Sequence, residues 1–185
     1  VVQARVDNRD MFVLFSRSGS AVAAADGTWS QGLAVYNSET SKRAVHLPLA
    51  VFDSVTKSYC LEAETKSNRL IHRKSKGFHQ TLDAAVQTAV RRDGVVGPLV
   101  SASSVGWRSG SVIHGVTKLQ ALQKIKRGLV SKGFSATVIE RVAHLLGSAD
   151  IPSITRRSLY ISLLTVADES VSSSRLLRVF ASTLL

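Results

Sequence analysis

The stretch SKGFHQTLDAAV, residues 75–86, marks the point where the sequence changes from a strand pattern to a helix pattern. Before it, short apolar runs are separated by turn residues, which is typical of β-strands. After it, apolar residues recur at the three- and four-residue spacing of an amphipathic helix. The sequence therefore predicts an α+β fold, with an N-terminal, mainly antiparallel β-sheet or small sandwich followed by a helical C-terminal half.

A β-rich segment of four or five strands is predicted over residues 9–65. The run DMFVLF (10–15) fits a buried strand. Asp26–Gly27 lies between apolar runs, as in a hairpin turn, because glycine accepts the positive φ that such turns require. The run RAVHLPLAVFD (43–53) is predicted as another strand, with an edge or a bulge at Pro48 because proline cannot donate to the ladder.

The last predicted strand carries the single cysteine of the chain. SYCLEAET (58–65) alternates cleanly, which predicts one exposed face, with Cys60 beside Glu62 and Glu64 on one side. Carboxylate neighbours disfavour a reactive thiolate, so we interpret Cys60 as structural. One cysteine allows neither an intrachain disulfide nor a Cys-based zinc site, and it fits a reducing, intracellular compartment.

The helix-rich segment, residues 78–185, begins with TLDAAVQTAVRRDG, in which Thr81 is predicted as the N-cap. Its apolar stripe is predicted at Leu82, Ala85, Val86 and Ala89. The tetrapeptide SKGF returns at residues 131–134, and the twelve-residue stretches that it opens share six positions. The segments before the two copies agree only in being basic. We therefore interpret the repeat as a shared turn-to-helix signal and not as a duplicated unit.

Two further helices are predicted over residues 118–131 and 136–146. The buried stripe of the first is predicted at Leu119, Leu122, Ile125 and Leu129, with Lys124 and Arg127 on the opposite face. The buried stripe of the second is predicted at Val138, Ile139, Val142, Leu145 and Leu146.

A short turn is predicted between these two helices. Gly133 ends the first helix, and Ser135 caps the second. Phe134 stands just before the cap, where it can pack against Ile139 as a hydrophobic staple.

Three C-terminal features leave alternatives open. The apolar residues of 154–167 surround a helical wheel, so the segment is either a buried helix or a central strand. The final stripe, which fits core burial but also self-association or a partner groove, consists of Leu176, Leu177, Phe180 and Leu184. Residues 93–115 hold five glycines without a helical period and form a strand pair or a loop. We predict a single domain over 1–185, with a possible sub-domain boundary near 93–116.

The strongest global feature is a net charge of +11, from 24 Lys and Arg against 13 Asp and Glu. Two windows, Thr65–Thr81 and Gly94–Ile139, contain no acidic residue at all. Such a field concentrates polyanions and accelerates their association. The residues predicted to bind nucleic acid or another anion are Lys66, Arg69, Arg73, Lys74, Lys76, Arg108, Lys118, Lys124, Lys126, Arg127 and Lys132. Trp107, beside Arg108 in a glycine-rich stretch, is a possible stacking residue for a base.

Familiar catalytic and metal-binding patterns are absent from the sequence. No histidine pair has the i, i+4 spacing of a helical zinc clamp, and neither an HExxH nor a GxSxG motif occurs. The Arg-Ser-Gly-Ser repeats at 17–20 and 108–111 lack the spacing of nucleotide-binding loops. We therefore predict no metal, no cofactor and no enzymatic activity, while an enzyme whose site forms only in three dimensions stays an alternative.

These observations favour a basic structural or assembly protein that binds a polyanion. RNA is the favoured partner, in a ribonucleoprotein or virion-type assembly with homo- or hetero-oligomeric packing. The alternative is a matrix-like peripheral membrane protein that binds acidic lipid, because 118–131 is basic and amphipathic. No apolar run approaches the roughly 20 residues of a membrane span, and the first residues do not resemble a signal peptide, so we predict an intracellular protein.

Overall fold

The computed structural model confirms the α+β fold, with strands followed by helices along the chain. It describes residues 3–7, 10–16, 19, 21–24, 27–38, 44–62, 69–71, 77–91, 113, 117–170 and 174–184. The chain forms two compact units, Val1–Val100 and Ser101–Leu185, which we call unit 1 and unit 2. The predicted turn residue Asp26 and nearly all of 93–115 lie outside the described residues, and the number of domains stays a prediction.

The elements in the described part of the chain comprise eight strands and five helices. The strands are β1 (Gln3–Asp7), β2 (Asp10–Ser16), β3 (Val22–Ala24), β4 (Gly27–Ser38), β5 (Ala44–His46), β6 (Leu49–Asp53), β7 (Ser58–Leu61) and β8 (Arg69–Ile71). The helices are α1 (Phe78–Val90), α2 (Lys118–Ser131), α3 (Ala136–Ser148), α4 (Arg156–Glu169) and α5 (Ser174–Ser182). β1 and β8 lie outside the predicted β-rich segment, so the sheet uses more of the chain than its strand patterns indicate.

Unit 1 is organised around β4, a strand of 12 residues that pairs on both of its edges. β2 and β3 pair antiparallel with one edge, while β5 and β6 pair antiparallel with the other. β1 extends the sheet beyond β2, β7 beyond β6 and β8 beyond β5. Every pairing among the described strands is antiparallel, as predicted.

The predicted strand over 43–53 is present as β5 and β6, which flank Pro48. Tyr36 pairs with His46 and Leu33 with Leu49, so both halves keep the same register on β4. The Ala34 N–H group still donates to the Pro48 carbonyl at 3.0 Å. The interruption is therefore local, because proline lacks only the N–H group and its carbonyl continues the ladder.

The prediction of an exposed face on β7 is wrong. All four residues of Ser58–Leu61 are buried, and Cys60 is fully buried as a free thiol. β7 pairs with β6 along its whole length. Alternating polarity misleads here because Ser58 and Cys60 are small enough to be enclosed in the protein interior.

Aromatic side chains cover one face of the sheet around β4. The ring centroids of Phe12 and Tyr36 lie 4.6 Å apart, and Phe52 lies 5.8 Å from Tyr59. Gly32 lies within the same layer. A Cβ at Gly32 would approach the Phe52 ring to 2.5 Å and the Phe15 carbonyl oxygen to 2.3 Å, so the layer closes only over a residue without a side chain.

The first helix begins four residues earlier than predicted. α1 starts at Phe78 with Gly77 as its N-cap, and Thr81 is not the cap. The Thr81 hydroxyl instead donates to the Gly77 carbonyl at 3.0 Å from within the first turn. The predicted stripe is correct in direction, since Ala89 is buried and Leu82 is half-buried, as are Ala85 and Val86.

The turn between α2 and α3 confirms the predicted caps. Gly133 adopts φ +80°, the left-handed conformation that glycine accepts without strain. The Phe134 N–H group donates to the Leu129 carbonyl and Gly133 N–H to Val130, which is the Schellman arrangement. Ser135 then accepts from the Val138 N–H group and caps α3. The buried Phe134 ring packs 5.8 Å from Phe180 of α5.

The ambiguous segment over 154–167 is a helix. α4 begins with a capping box at Thr155 and Ser158. It is buried on most of its circumference, at Leu159, Tyr160, Ser162, Leu163, Leu164, Val166 and Ala167. Because apolar residues surround the helix, it forms the centre of unit 2 and not an amphipathic surface element.

Candidate functional site

The first basic window lies mostly outside the described residues. Lys66, Arg73, Lys74 and Lys76 are not described, and neither are Trp107 and Arg108. Of the first window's predicted anion-binding residues, Arg69 is placed, half-buried on β8 opposite His46. The described part of the candidate surface is therefore α2 and the turn that follows it.

Lys118, at the start of α2, is engaged within unit 2. Its ammonium donates to the carbonyl oxygens of Gly147 and Ala149 at 3.0 and 2.7 Å. These carbonyls lie at the C-terminus of α3, where backbone acceptors have no intrahelical partner and a cation is favoured by the helix dipole. Lys118 therefore ties α2 to the end of α3 in this structure.

Ion pairs join consecutive helices of unit 2. Lys126 of α2 lies 2.7 Å from Glu140 of α3. Arg141 of α3 forms a two-bond pair with Glu169, at the end of α4, with distances of 2.8 and 2.7 Å. A further ion pair joins α4 to α5, between Asp168 and the buried Arg178.

These ion pairs determine which charges stay available to a ligand. Unit 2 holds eleven Lys and Arg but only four Asp and Glu, a net charge of +7. Three of its four acids, Glu140, Asp168 and Glu169, are bound to cations of the same unit. No spacing in the sequence signals these pairs, because their members lie on different helices and 10 to 28 residues apart.

Three predicted anion-binding residues stay exposed on or next to α2: Lys124, Arg127 and Lys132. Among the described residues, no carboxylate lies within ion-pair distance of these three side chains. We call the surface formed by these residues with Gly128 the α2 basic face. These four residues are exposed, whereas Ala121, Ile125 and Leu129 of the same helix are buried.

The prediction that Leu119 belongs to the buried stripe of α2 is wrong. Its side chain is 65% exposed, and that of Val130 is 63% exposed. The buried arc is centred on Ile125 and includes Ala121 in place of Leu119. Two large apolar side chains therefore lie exposed beside the α2 basic face.

The C-terminal apolar stripe divides between core and surface. Leu177 is completely buried, and Phe180 packs on Phe134. Leu176, the next residue before Leu177, is 48% exposed, and Leu184 is half-buried. Packing within unit 2 thus uses Leu177 and Phe180, while self-association stays a prediction.

Two other kinds of feature, a metal-ligand cluster and a membrane-spanning helix, are absent from the described residues. In that part of the chain, no group of three or more His, Cys, Asp and Glu is placed to hold a metal ion. Within the same ranges, no helix combines the length and apolarity required to cross a membrane.

Comparison with known proteins found no similar protein. No protein-family model, no curated protein and no solved structure matches the chain. The function must therefore be inferred from the charges and contacts described above.

The pair between Arg141 and Glu169 predicts a pH-dependent contribution to stability. The hydrogen bond from Arg141 lowers the pKa of the Glu169 carboxyl below its ordinary value of 4.5. A group with a lowered folded pKa stabilises the fold above its unfolded pKa and loses that contribution as the pH falls through the folded one. We expect Arg141→Gln to lower the melting temperature slightly at pH 7, and the difference from native to shrink as the pH falls from 4.5 through the lowered folded pKa of Glu169.

Thermal melts between pH 7 and pH 3 check this expectation. Arg156→Gln is the control, since Arg156 is exposed at the start of α4. A difference between native and Arg141→Gln that persists unchanged at pH 3 would show that the pair does not carry the effect.

Proposed function

We propose that this protein is a non-enzymatic, basic structural or assembly protein that binds a polyanion, with RNA in a ribonucleoprotein or virion-type assembly as the favoured partner. One observation carries the proposal. The acids of unit 2 are largely bound to cations of the same unit, while Lys124, Arg127 and Lys132 stay exposed on one side of α2.

The physical argument is one of uncompensated charge. Phosphates neutralised by Lys and Arg release condensed counterions, which gives affinity without sequence specificity and makes it steeply dependent on salt. An exposed cation without a nearby carboxylate offers its full charge to a phosphate, whereas a paired cation must first give up its partner. The α2 basic face is therefore the best-supported contact surface in the described part of unit 2.

Neutralising this face predicts a loss of RNA affinity. We expect Lys124→Gln/Arg127→Gln to weaken binding to a labelled single-stranded RNA and to reduce the slope of log K against log salt by about 1.4, since each phosphate contact on a single strand contributes roughly 0.7. The measurement is fluorescence anisotropy on the full chain, titrated from roughly 50 to 200 mM salt, the range in which such contacts weaken strongly.

A matched variant separates this site from overall charge. Lys57→Gln/Arg91→Gln removes one Lys and one Arg from exposed positions of unit 1. We expect it to retain the native slope. Equal losses in both variants would show that net charge alone controls binding and would contradict a specific role for α2, and no binding by the native chain would refute the proposed function.

A second candidate function is supported by the exposed apolar residues beside the basic face. Leu119 and Val130 resemble the apolar anchors of an interfacial helix, and their cationic neighbours would face acidic headgroups. This arrangement favours a matrix-like protein on an anionic membrane. Sedimentation with phosphatidylserine vesicles tests it: uptake abolished by Leu119→Ser/Val130→Ser, without RNA binding, would place this function first.

A further inference from the structure

Gly128 is an unexpected residue at its position in α2. Glycine is the least favourable residue in a helix interior apart from proline, because it exposes the backbone and loses the most conformational freedom. Among the described residues, nothing lies within 4 Å of the position that a Cβ would occupy at Gly128. Packing in the described structure therefore does not require glycine here, and its φ is not in the left-handed region.

The surroundings of Gly128 are cationic. Lys124 and Lys132 precede and follow it by four residues, so they lie on the same side of the helix, one turn away in each direction. Side chains on a helix lean toward its N-terminus, which directs Lys132 back over the turn that contains Gly128. Arg127 adjoins the glycine in sequence.

The backbone carbonyl of Gly128 is hydrogen-bonded within the last turn of α2. Its carbonyl oxygen accepts from the Ser131 hydroxyl at 2.7 Å and from the Lys132 N–H group at 3.2 Å. The helix dipole places partial negative charge at this end of α2, so the attraction for a phosphate comes from the lysine side chains.

We propose that Gly128 forms a contact point for a phosphate of the RNA backbone, which approaches the surface of α2 closely between Lys124 and Lys132. This inference rests on the proposed function and adds the place and chemistry of the contact. A side chain at residue 128 would hold the phosphate away from the helix. The proposal therefore explains a glycine that is unfavourable for the helix and is not required by its packing.

Gly128→Ala separates stability from binding, because the two effects have opposite signs. Alanine is a better helix former, so the melting temperature should rise, by about 2–4 °C if the full propensity difference is realised in a chain of this size. RNA affinity should fall by about tenfold at roughly 50 mM salt if the change costs one charge-assisted contact. A purely structural role would move both readouts in the same direction or leave binding unchanged.

Gly147→Ala is the matched control. Gly147 lies in the last turn of α3, is exposed, and has only an ordinary van der Waals neighbour, Leu122, at 3.9 Å. We expect this variant to raise the melting temperature similarly and to bind the same labelled single-stranded RNA with native affinity.

The possible results distinguish failure of the phosphate contact at Gly128 from failure of the proposed RNA-binding function. Weaker RNA binding by Gly128→Ala alone supports the contact point. Native RNA binding by a stabilised Gly128→Ala overturns it while leaving the proposed function in place. If the native chain binds no RNA, or binds only phosphatidylserine vesicles, the proposed function fails and this inference fails with it.

Discussion

Gly32→Ala is expected to destabilise unit 1 by about 2–3 kcal/mol, toward the upper end of the usual cost of overpacking. The new methyl group would lie 2.3 Å from the Phe15 carbonyl oxygen and 2.5 Å from the Phe52 ring. Gly32 pairs with Ser16 on one edge and with Ala50 on the other, so β4 cannot move away without disturbing two ladders. Urea denaturation followed by far-UV circular dichroism measures the loss.

Gly77→Ala provides the comparison for Gly32→Ala. Nothing in the described structure lies within 4 Å of a Cβ at Gly77, which has a negative φ at the start of α1. Its substitution should cost less than about 1 kcal/mol, the scale of a changed N-cap. Equal effects of the two substitutions would contradict the close approach at β4.

Leu177→Ala is expected to destabilise unit 2 by about 3–5 kcal/mol, the range for a buried leucine whose cavity does not collapse. The Leu177 side chain is completely buried in α5, whereas the adjacent Leu176 is 48% exposed. Leu176→Ala changes the same atoms in the same helix and should cost no more than about 0.5 kcal/mol. Chemical denaturation of both variants measures the contrast.

The same two variants test the alternative role of the C-terminal stripe. If the stripe mediates self-association, Leu176→Ala should lower the mass measured by sedimentation equilibrium while leaving unfolding at low protein concentration unchanged. If the stripe serves only the core, Leu176→Ala should behave as native in both measurements. A small effect of Leu177→Ala would contradict its placement in the core.

Much of the fold follows from local pattern. The caps around α3 were predictable because Gly133 and Ser135 satisfy backbone requirements within one turn. The strand across Pro48 was also predictable, because the proline removes only one backbone donor from the ladder. β1 and β8 were missed because their residues are polar or their runs too short to show a period.

The errors occurred where tertiary packing overrides local preference. Thr81 has the chemistry of an N-cap, but the helix extends beyond it to Phe78 and places it inside the first turn. Leu119 fits the apolar stripe, yet the buried arc of α2 follows Ala121 and Ile125, because a small residue permits close contact between helices. Hydrophobic periodicity predicts that a helix has a buried face, but it does not fix the residue at the centre of that face.

The candidate site was also predictable only in part. Its cationic character was predictable from composition, and the exposure of Lys124 and Arg127 from their place on the helical wheel. The sequence does not predict which of these cations already bind acceptors within the protein. Lys118 and Lys126 meet acceptors more than ten residues away in sequence, so only the packing of α2 on α3 assigns them to the protein itself.

Lysine reactivity of the full chain, measured with and without single-stranded RNA at roughly 50 mM salt, shows which lysines contact the RNA. Acetylation read by mass spectrometry reports each lysine separately, and the low salt preserves the phosphate contacts. We predict that RNA protects Lys124 and Lys132 and leaves the reactivity of the exposed Lys57 of unit 1 unchanged. Unchanged reactivity at Lys124 and Lys132, with protection elsewhere or nowhere, would contradict the assignment of the α2 basic face as the polyanion-binding surface.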